Sequence, residues 1–176
     1  MSEIHETARV HHRAAIHTGV SIGARTKVWQ FASIIRNSVI GEDCSIASCA
    51  IIDGCRLANR VIVSHGAFLG PGIEISDDVF IGPHVCFCND YWPRVSKEGW
   101  FDLEELLPPD GKVVTRVLAG ASIGAGVILM PGVVIGSAAM IAAGAVVTGD
   151  VPDGQLYRRD GTYQPIKYEP ERRRHV

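Results

Sequence analysis

Ile4, Val10, Ile16, Ile22, Val28, Ile34, Ile40, Ile46 and Ile52 stand at every sixth position of the chain without exception. The register returns at Val117, Ile123, Leu129, Ile135, Ile141 and Val147. A half-buried strand repeats every two residues and a helix every 3.6, so neither explains a period of six. A fixed six-residue period predicts a parallel β-helix, in which each short strand adds one aliphatic side chain to a central column. Three such sides make a triangular coil of eighteen residues. Stacked coils give flat faces and long grooves where chemistry can be placed.

After Ile52 the period slips by one residue and continues through Leu57, Val63, Leu69, Ile75, Ile81 and Phe87. The doublet Ile51–Ile52 serves both phases, so the slip reads as a one-residue deletion at a corner. Gly follows the core aliphatic at Gly23, Gly41, Gly70, Gly82, Gly124 and Gly136, where a corner needs positive φ or close backbone approach. Between Asn89 and Arg116 the period vanishes, in a segment holding Tyr91-Trp92-Pro93-Arg94, a short helical turn near Glu98–Leu107 and Pro108-Pro109-Asp110-Gly111. A loop of this length extruded from a regular coil is usually functional or interface-forming. The expected layout is all-β: one β-helix domain over 1–153 with loop 89–116 extruded, then an extended, polar C-terminal tail over 154–176.

At 176 residues and 47% hydrophobic content the chain can bury a core of its own. Seventeen basic residues against nineteen acidic leave no basic footprint for nucleic acid. The run Arg172, Arg173, Arg174 reads as a solvated end. No apolar stretch approaches the roughly 20 residues that span a bilayer, and the polar start resembles no secretion signal. The expectation is a cytoplasmic protein without a membrane partner. Five cysteines without a CxxC pair argue against a disulfide framework or a zinc ribbon. Cys44 falls in a slot filled elsewhere by Ala8, Ala14, Ala32 and Ser38, so it reads as a small buried hydrophobe. Cys86 and Cys88 show no neighbour that would lower a thiol pKa. His5, His11 and His17 follow core aliphatics at six-residue spacing, hence point in three directions and cannot share one metal.

The hexads, the mid-chain loop and the closing run Ile141-Ala142-Ala143-Gly144-Ala145-Val146-Val147-Thr148-Gly149-Asp150-Val151-Pro152 resemble the hexapeptide-repeat acyltransferases. Val28-Trp29-Gln30-Phe31, Ile40-Gly41-Glu42-Asp43-Cys44, Asp77-Asp78-Val79-Phe80-Ile81-Gly82-Pro83 and Asn89-Asp90-Tyr91-Trp92-Pro93-Arg94 are similar to the branch that N-acetylates amino sugars on UDP or dTDP carriers. The resemblance implies a left-handed β-helix and a homotrimer. It also implies acetyl-CoA in the groove between subunits, no metal, and an amino deoxysugar on a nucleotide as acceptor, for surface polysaccharide.

Acyl transfer to an amine needs an unprotonated nitrogen, a polarised thioester carbonyl and a route for the proton, and His titrates in the right range without tuning. His65, in Ser64-His65-Gly66, replaces the Asn such enzymes carry there. It is the first candidate base, with substrate binding or a purely structural role as alternatives. His84, nineteen residues on, is the second, or a substrate ligand. Asn89 and Asp90 match the family pattern: Asn89 to hold the amine or thioester carbonyl, Asp90 to accept a proton or bind sugar hydroxyls, or both to shape the turn. Gln30, Tyr91 and Arg94 are candidate substrate ligands. Tyr91, Trp92 and Trp100 suit base stacking or subunit contact equally, and Trp29 suits interface packing. By the resemblance, Ala125, Ala143 and Thr148 contact CoA. Gly149 stands where such enzymes carry Lys, with Arg158 or Arg159 as the replacement phosphate contact, and Leu156-Tyr157-Arg158-Arg159 replaces the usual Gly-Asn-Pro segment. Two other readings compete: a γ-type carbonic anhydrase, which needs a third ligand beside His65 and His84, and a non-catalytic trimeric scaffold.

Overall fold

The computed structural model describes residues 2–91, 93, 95 and 115–166. The expected helical turn near Glu98–Leu107, together with Trp92, Arg94, Trp100 and the Arg172–Arg174 run, lies outside the described residues. Among the described residues twenty-three strands, numbered here in chain order, form three sheets of seven, nine and seven. The first coil sets the pattern, with β1 (Glu3–Ile4), β2 (Arg9–Val10) and β3 (Ala15–Ile16) each on a different side. Every third strand returns to the same side and pairs in parallel, as Glu3 with Ser21 and Arg9 with Lys27. The result is the left-handed parallel β-helix expected, about seven coils tall.

One aliphatic per strand fills the axis. From Ile22 to Val147, the hexad residues of both phases are at most 3% exposed. The first coil differs. Ile4 is 42% exposed, because no coil lies beneath it. A second column of small or β-branched side chains, two residues before each aliphatic, is also buried and includes Cys44 and Cys55. Burial pushes both thiols up, that of Cys55 to about 12, so they are inert packing groups. The hydroxyls in this column are satisfied. Thr26 Oγ1 donates to Gly41 O at 2.8 Å and accepts from Cys44 N at 3.0 Å.

The phase slip is a shortened corner. Ser33 faces Ile51 across the third sheet, but Val39 then faces Arg56 and Ser45 faces Ile62, one residue early. Gly54, at φ +66°, makes the tighter turn and donates to Ile35 O at 3.2 Å. The glycines after the core aliphatic answer to close approach and not to positive φ. A Cβ on Gly23, Gly41, Gly82, Gly124 or Gly136 would lie 2.5–2.7 Å from an atom of the next coil. Positive φ falls two residues later, at Arg25, Asp43, His84, Gly126 and Ala138.

The long loop leaves after β15 (Cys86–Phe87) on the third side. The chain returns as β16 (Thr115–Val117) on the first side, pairing with Ile73–Ile75. The loop therefore replaces one corner without interrupting the stack. Beyond 153 the described segment forms two further strands joined by a turn. β22 (Gln155–Tyr157) adds in parallel to β20 (Met140–Ile141), and β23 (Tyr163–Pro165) folds back antiparallel on β22. Tyr157 is 5% exposed and its Oη donates to Val146 O at 2.9 Å, so an aromatic ring closes the last coil where the hexad has run out.

The three outer faces differ. Ile62, Phe80 and Met140 stand out from the second side, and Ile51, Ile128 and Val146 from the third. The first side carries Arg56, Glu74 and Arg116, with Arg116 Nε donating to Glu74 Oε2 at 3.2 Å. Replacing Ile81, at 0% exposure, by Ala should leave an unfilled gap in the column. Denaturant unfolding should show a loss of about 3 kcal/mol.

Candidate functional site

The turns joining the second side to the third stack into one continuous edge. Rungs run Cys49 N to Gln30 O (3.3 Å), Gly66 N to Ser48 O (3.2 Å), His84 N to His65 O (3.0 Å), Gly126 N to Pro83 O (2.8 Å) and Gly144 N to Ala125 O (2.8 Å). Two adjacent columns result. One holds Gln30, Ser48, His65, Pro83, Ala125 and Ala143; the other, at positive φ, holds Phe31, Cys49, Gly66, His84, Gly126 and Gly144. Four of the sequence candidates thus share one column, and His84 stands in the next.

His65 and His84 touch edge to face, with ring centroids 5.1 Å apart and planes at 88°. Strand alternation would have put them in opposite phases. They sit in a turn, where that alternation does not apply, and both are exposed. Gly66 makes the contact possible. Its φ is +66°, and a Cβ there would lie 2.5 Å from His84 Nδ1, so the imidazole occupies the space a side chain would fill. Beneath the pair is an open hollow of about 570 Å³ lined by Trp29, Ala47, Ser48, Cys49, His65, Gly66 and His84. Ser48 and Cys49 had drawn no attention in the sequence. Cys49 lies eighteen residues after Phe31, and counting coils with the slip included would have found it.

Above the pair the edge is bare. Ala125, Gly126, Ala143 and Gly144 are all exposed, and a Cβ on either glycine would meet nothing within 4 Å. Next to this bare edge a second hollow of about 460 Å³ is lined by Ala142, Leu156, Arg158, Arg159, Asp160 and Gln164. Arg158 donates to Gln164 Oε1 at 3.3 Å, and Asp160, hydrogen-bonded by Thr162, is held below the ordinary carboxylate range. Among the described residues no carboxylate pairs with Arg159.

Asn89, Asp90, Tyr91 and Thr148 are not at this edge. They follow the third-side strands, at the far end of that side. Asn89 packs over Gly70, and Tyr91 Oη donates to Pro131 O, fixing the start of the loop against the next coil. Thr148 follows Val147, whose carbonyl accepts from Met130 N at 2.9 Å. Within one chain the structure does not bring these four together with the histidine pair, because a full side of the prism intervenes. Arg94 lies outside the described residues. Cys86 and Cys88 lie near Asn89; burial and then Cys88 raise the Cys86 thiol, which therefore stays protonated at neutral pH. His5, His11 and His17 fall at three different corners. Among the described residues no group of three or more His, Cys, Asp or Glu is placed to hold a metal ion. None of their helices is long and apolar enough to cross a membrane.

Residues 115–149 match the family described as bacterial transferase hexapeptide (six repeats). Those residues carry the hexapeptide repeat of that family. The repeat accounts for the coils carrying Ala125 and Ala143, and the same period in the structure extends it to the first coil. The chain is 31% identical over 148 residues to the bifunctional protein GlmU of Thermosynechococcus vestitus, a match covering 84% of this chain and 29% of that protein. It is 26% identical over 174 residues to GlmU of a Geobacillus species, covering 80% and 38%. The chain thus spans well under half the length of these relatives. Among solved structures, the UDP-N-acetylglucosamine acyltransferase of Francisella novicida has the same fold, at TM-score 0.50 and 17% identity over 99% of this chain and 72% of that one.

Gly66→Ala tests the histidine contact. It should destabilise the fold by about 1 kcal/mol through the strained φ and shift the His84 ring resonances in NMR; unchanged His84 signals would mean that the ring does not rest on Gly66.

Proposed function

We propose that the protein is a CoA-dependent acyltransferase acting on the amino group of a nucleotide-linked (dTDP or UDP) amino deoxysugar, with acetyl-CoA as the simplest donor. The observation carrying this reading is the shared edge, which sets a pair of exposed imidazoles in line with two coils of bare backbone. Ala125, Gly126, Ala143 and Gly144 would hold the pantetheine arm, since nothing on that edge projects far enough to keep it off the main chain. Arg158 and Arg159 would take its phosphates, in the role that Gly149 cannot fill.

The reaction forms a C–N bond and breaks the C–S bond of the thioester, so the amine must lose a proton and the departing sulfur must gain one. An imidazole is suited to both transfers near neutral pH. His65 is assigned as base, with His84 against it as a substrate ligand that keeps the ring from turning away. Asn89 donates its amide to the thioester oxygen as negative charge develops there, and Asp90 accepts from sugar hydroxyls. Gln30, Tyr91 and Arg94 complete the sugar-nucleotide contacts.

Asn89, Asp90 and Thr148 lie one side away from His65, so this assignment requires that two chains share each site. A homotrimer does this when the far end of one chain's third side meets the histidine edge of its neighbour. The apolar second and third faces support such packing, because side chains such as Ile62, Phe80, Ile128 and Val146 otherwise meet water. The charged first side would remain outward. The reading places the protein in the cytoplasm, with no metal in the reaction.

His65→Ala and Asn89→Ala should each lower turnover at least tenfold with an unchanged sedimentation profile. The assay is thiol release from acetyl-CoA across a panel of dTDP- and UDP-amino sugars, and wild-type rates in both variants would refute the site assignment. Arg159→Ala should raise the KM for acetyl-CoA several-fold with little change in kcat; an unchanged KM removes Arg159 from the phosphate site.

A further inference from the structure

The hollow under the histidine pair is larger than an acetyl group requires. It also lies on the same edge as the bare coils, on the opposite side of the pair. Taking the acyltransferase reading as its basis, we infer that this hollow is an acyl-chain pocket and that the preferred donor carries a straight saturated chain of about six to eight carbons, matched to the roughly 10 Å that separates Gly66 from the coil of Trp29.

The argument follows the order of residues along the edge. Reading down, Ala143–Gly144 and Ala125–Gly126 come first, then Pro83–His84 and His65–Gly66, then Ser48–Cys49 and Gln30–Phe31. A donor arm lying over the first two coils brings its thioester to the imidazoles. Whatever extends beyond the carbonyl must then continue past Gly66 toward Ser48, Cys49, Ala47 and Trp29. The His84 imidazole fills the space over Gly66, so the chain runs beside that ring, where Ala47, Ser48 and Cys49 are small. The distance from Gly66 to the coil of Trp29 is two coil spacings, roughly 10 Å. Trp29, 48% exposed, forms the far wall.

The lining selects a hydrocarbon over a sugar. Apart from the two imidazoles at its upper end, Ser48 and Trp29 are the lining residues whose side chains carry strong hydrogen-bonding groups. A sugar ring placed there would leave several hydroxyls unmatched. A methylene chain loses nothing, and each methylene removed from water strengthens binding up to about fourfold.

The test is equilibrium binding of free CoA, acetyl-CoA, hexanoyl-CoA and octanoyl-CoA to the full chain by calorimetry. Wild type should bind octanoyl-CoA at least tenfold tighter than acetyl-CoA. Cys49→Phe should shrink that ratio below threefold; Phe31 already occupies the same kind of position one coil down at φ 62°, so the backbone tolerates the residue. Ala47→Leu, on another wall, should shrink the ratio too and guards against a folding defect in the first variant. Equal affinities for acetyl- and octanoyl-CoA, or a ratio unmoved by both variants, overturn the acyl pocket and leave the CoA reading standing. Failure to bind even free CoA overturns the acyltransferase reading itself.

Discussion

The spacing between coils governs this molecule. Backbone hydrogen bonds hold successive strands about 4.8 Å apart, and every side chain at a corner must fit within that distance of the turns above and below. Glycine after the core aliphatic is the visible result: at five such positions a methyl group would collide with the neighbouring coil. The same limit sets each corner side chain directly over its counterpart one coil away. At the turn between the first and second sides, Arg25, Asp43, Arg60 and Asp78 alternate in sign up the edge, with Arg25 Nε donating to Asp43 Oδ1 at 2.7 Å and Arg60 Nε to Asp78 Oδ1 at 2.6 Å. These pairs are exposed, so each adds little free energy. Their effect is to fix which residue meets which.

The next edge uses the same geometry for a different end. Where one corner stacks charges, the other stacks Phe31, Cys49, Gly66, His84, Gly126 and Gly144, whose sizes differ widely. Variation in size along a column of constant spacing produces relief: a hollow below the imidazoles, a bare strip above them. Both features come from single-residue choices on a backbone that is otherwise uniform. A repeat protein can therefore carry an individual site without disturbing its core.

Much of the architecture could be read from the sequence because core positions recur at a fixed interval. The slip after Ile52 was legible for the same reason, since Leu57 through Phe87 keep the interval in a new phase. The pairing of Gln155–Tyr157 was not, because Tyr157 closes the axis with an aromatic ring and no hexad announces it. At the site, the stacking of Ala125 on Ala143 followed from their separation of one coil. The contact of His65 with His84 was less accessible, since nineteen residues is one more than a coil and only the turn geometry over Gly66 lets the rings meet. Asn89 and Asp90 were grouped with His65 by motif, and motif order carries no information about which corner a residue reaches. Cys49 escaped notice because its importance lies in being small.

The antiparallel return of Tyr163–Pro165 gives this stack a property that parallel pairing alone would deny it. Columns of unsatisfied main-chain groups at the end of a regular solenoid invite another molecule to continue the pattern, and fibres follow. Here the outermost strand on the second side runs the wrong way for such continuation and includes Pro165, which has no N–H to offer. Continuation of the parallel pattern at that edge of the second side is thereby blocked.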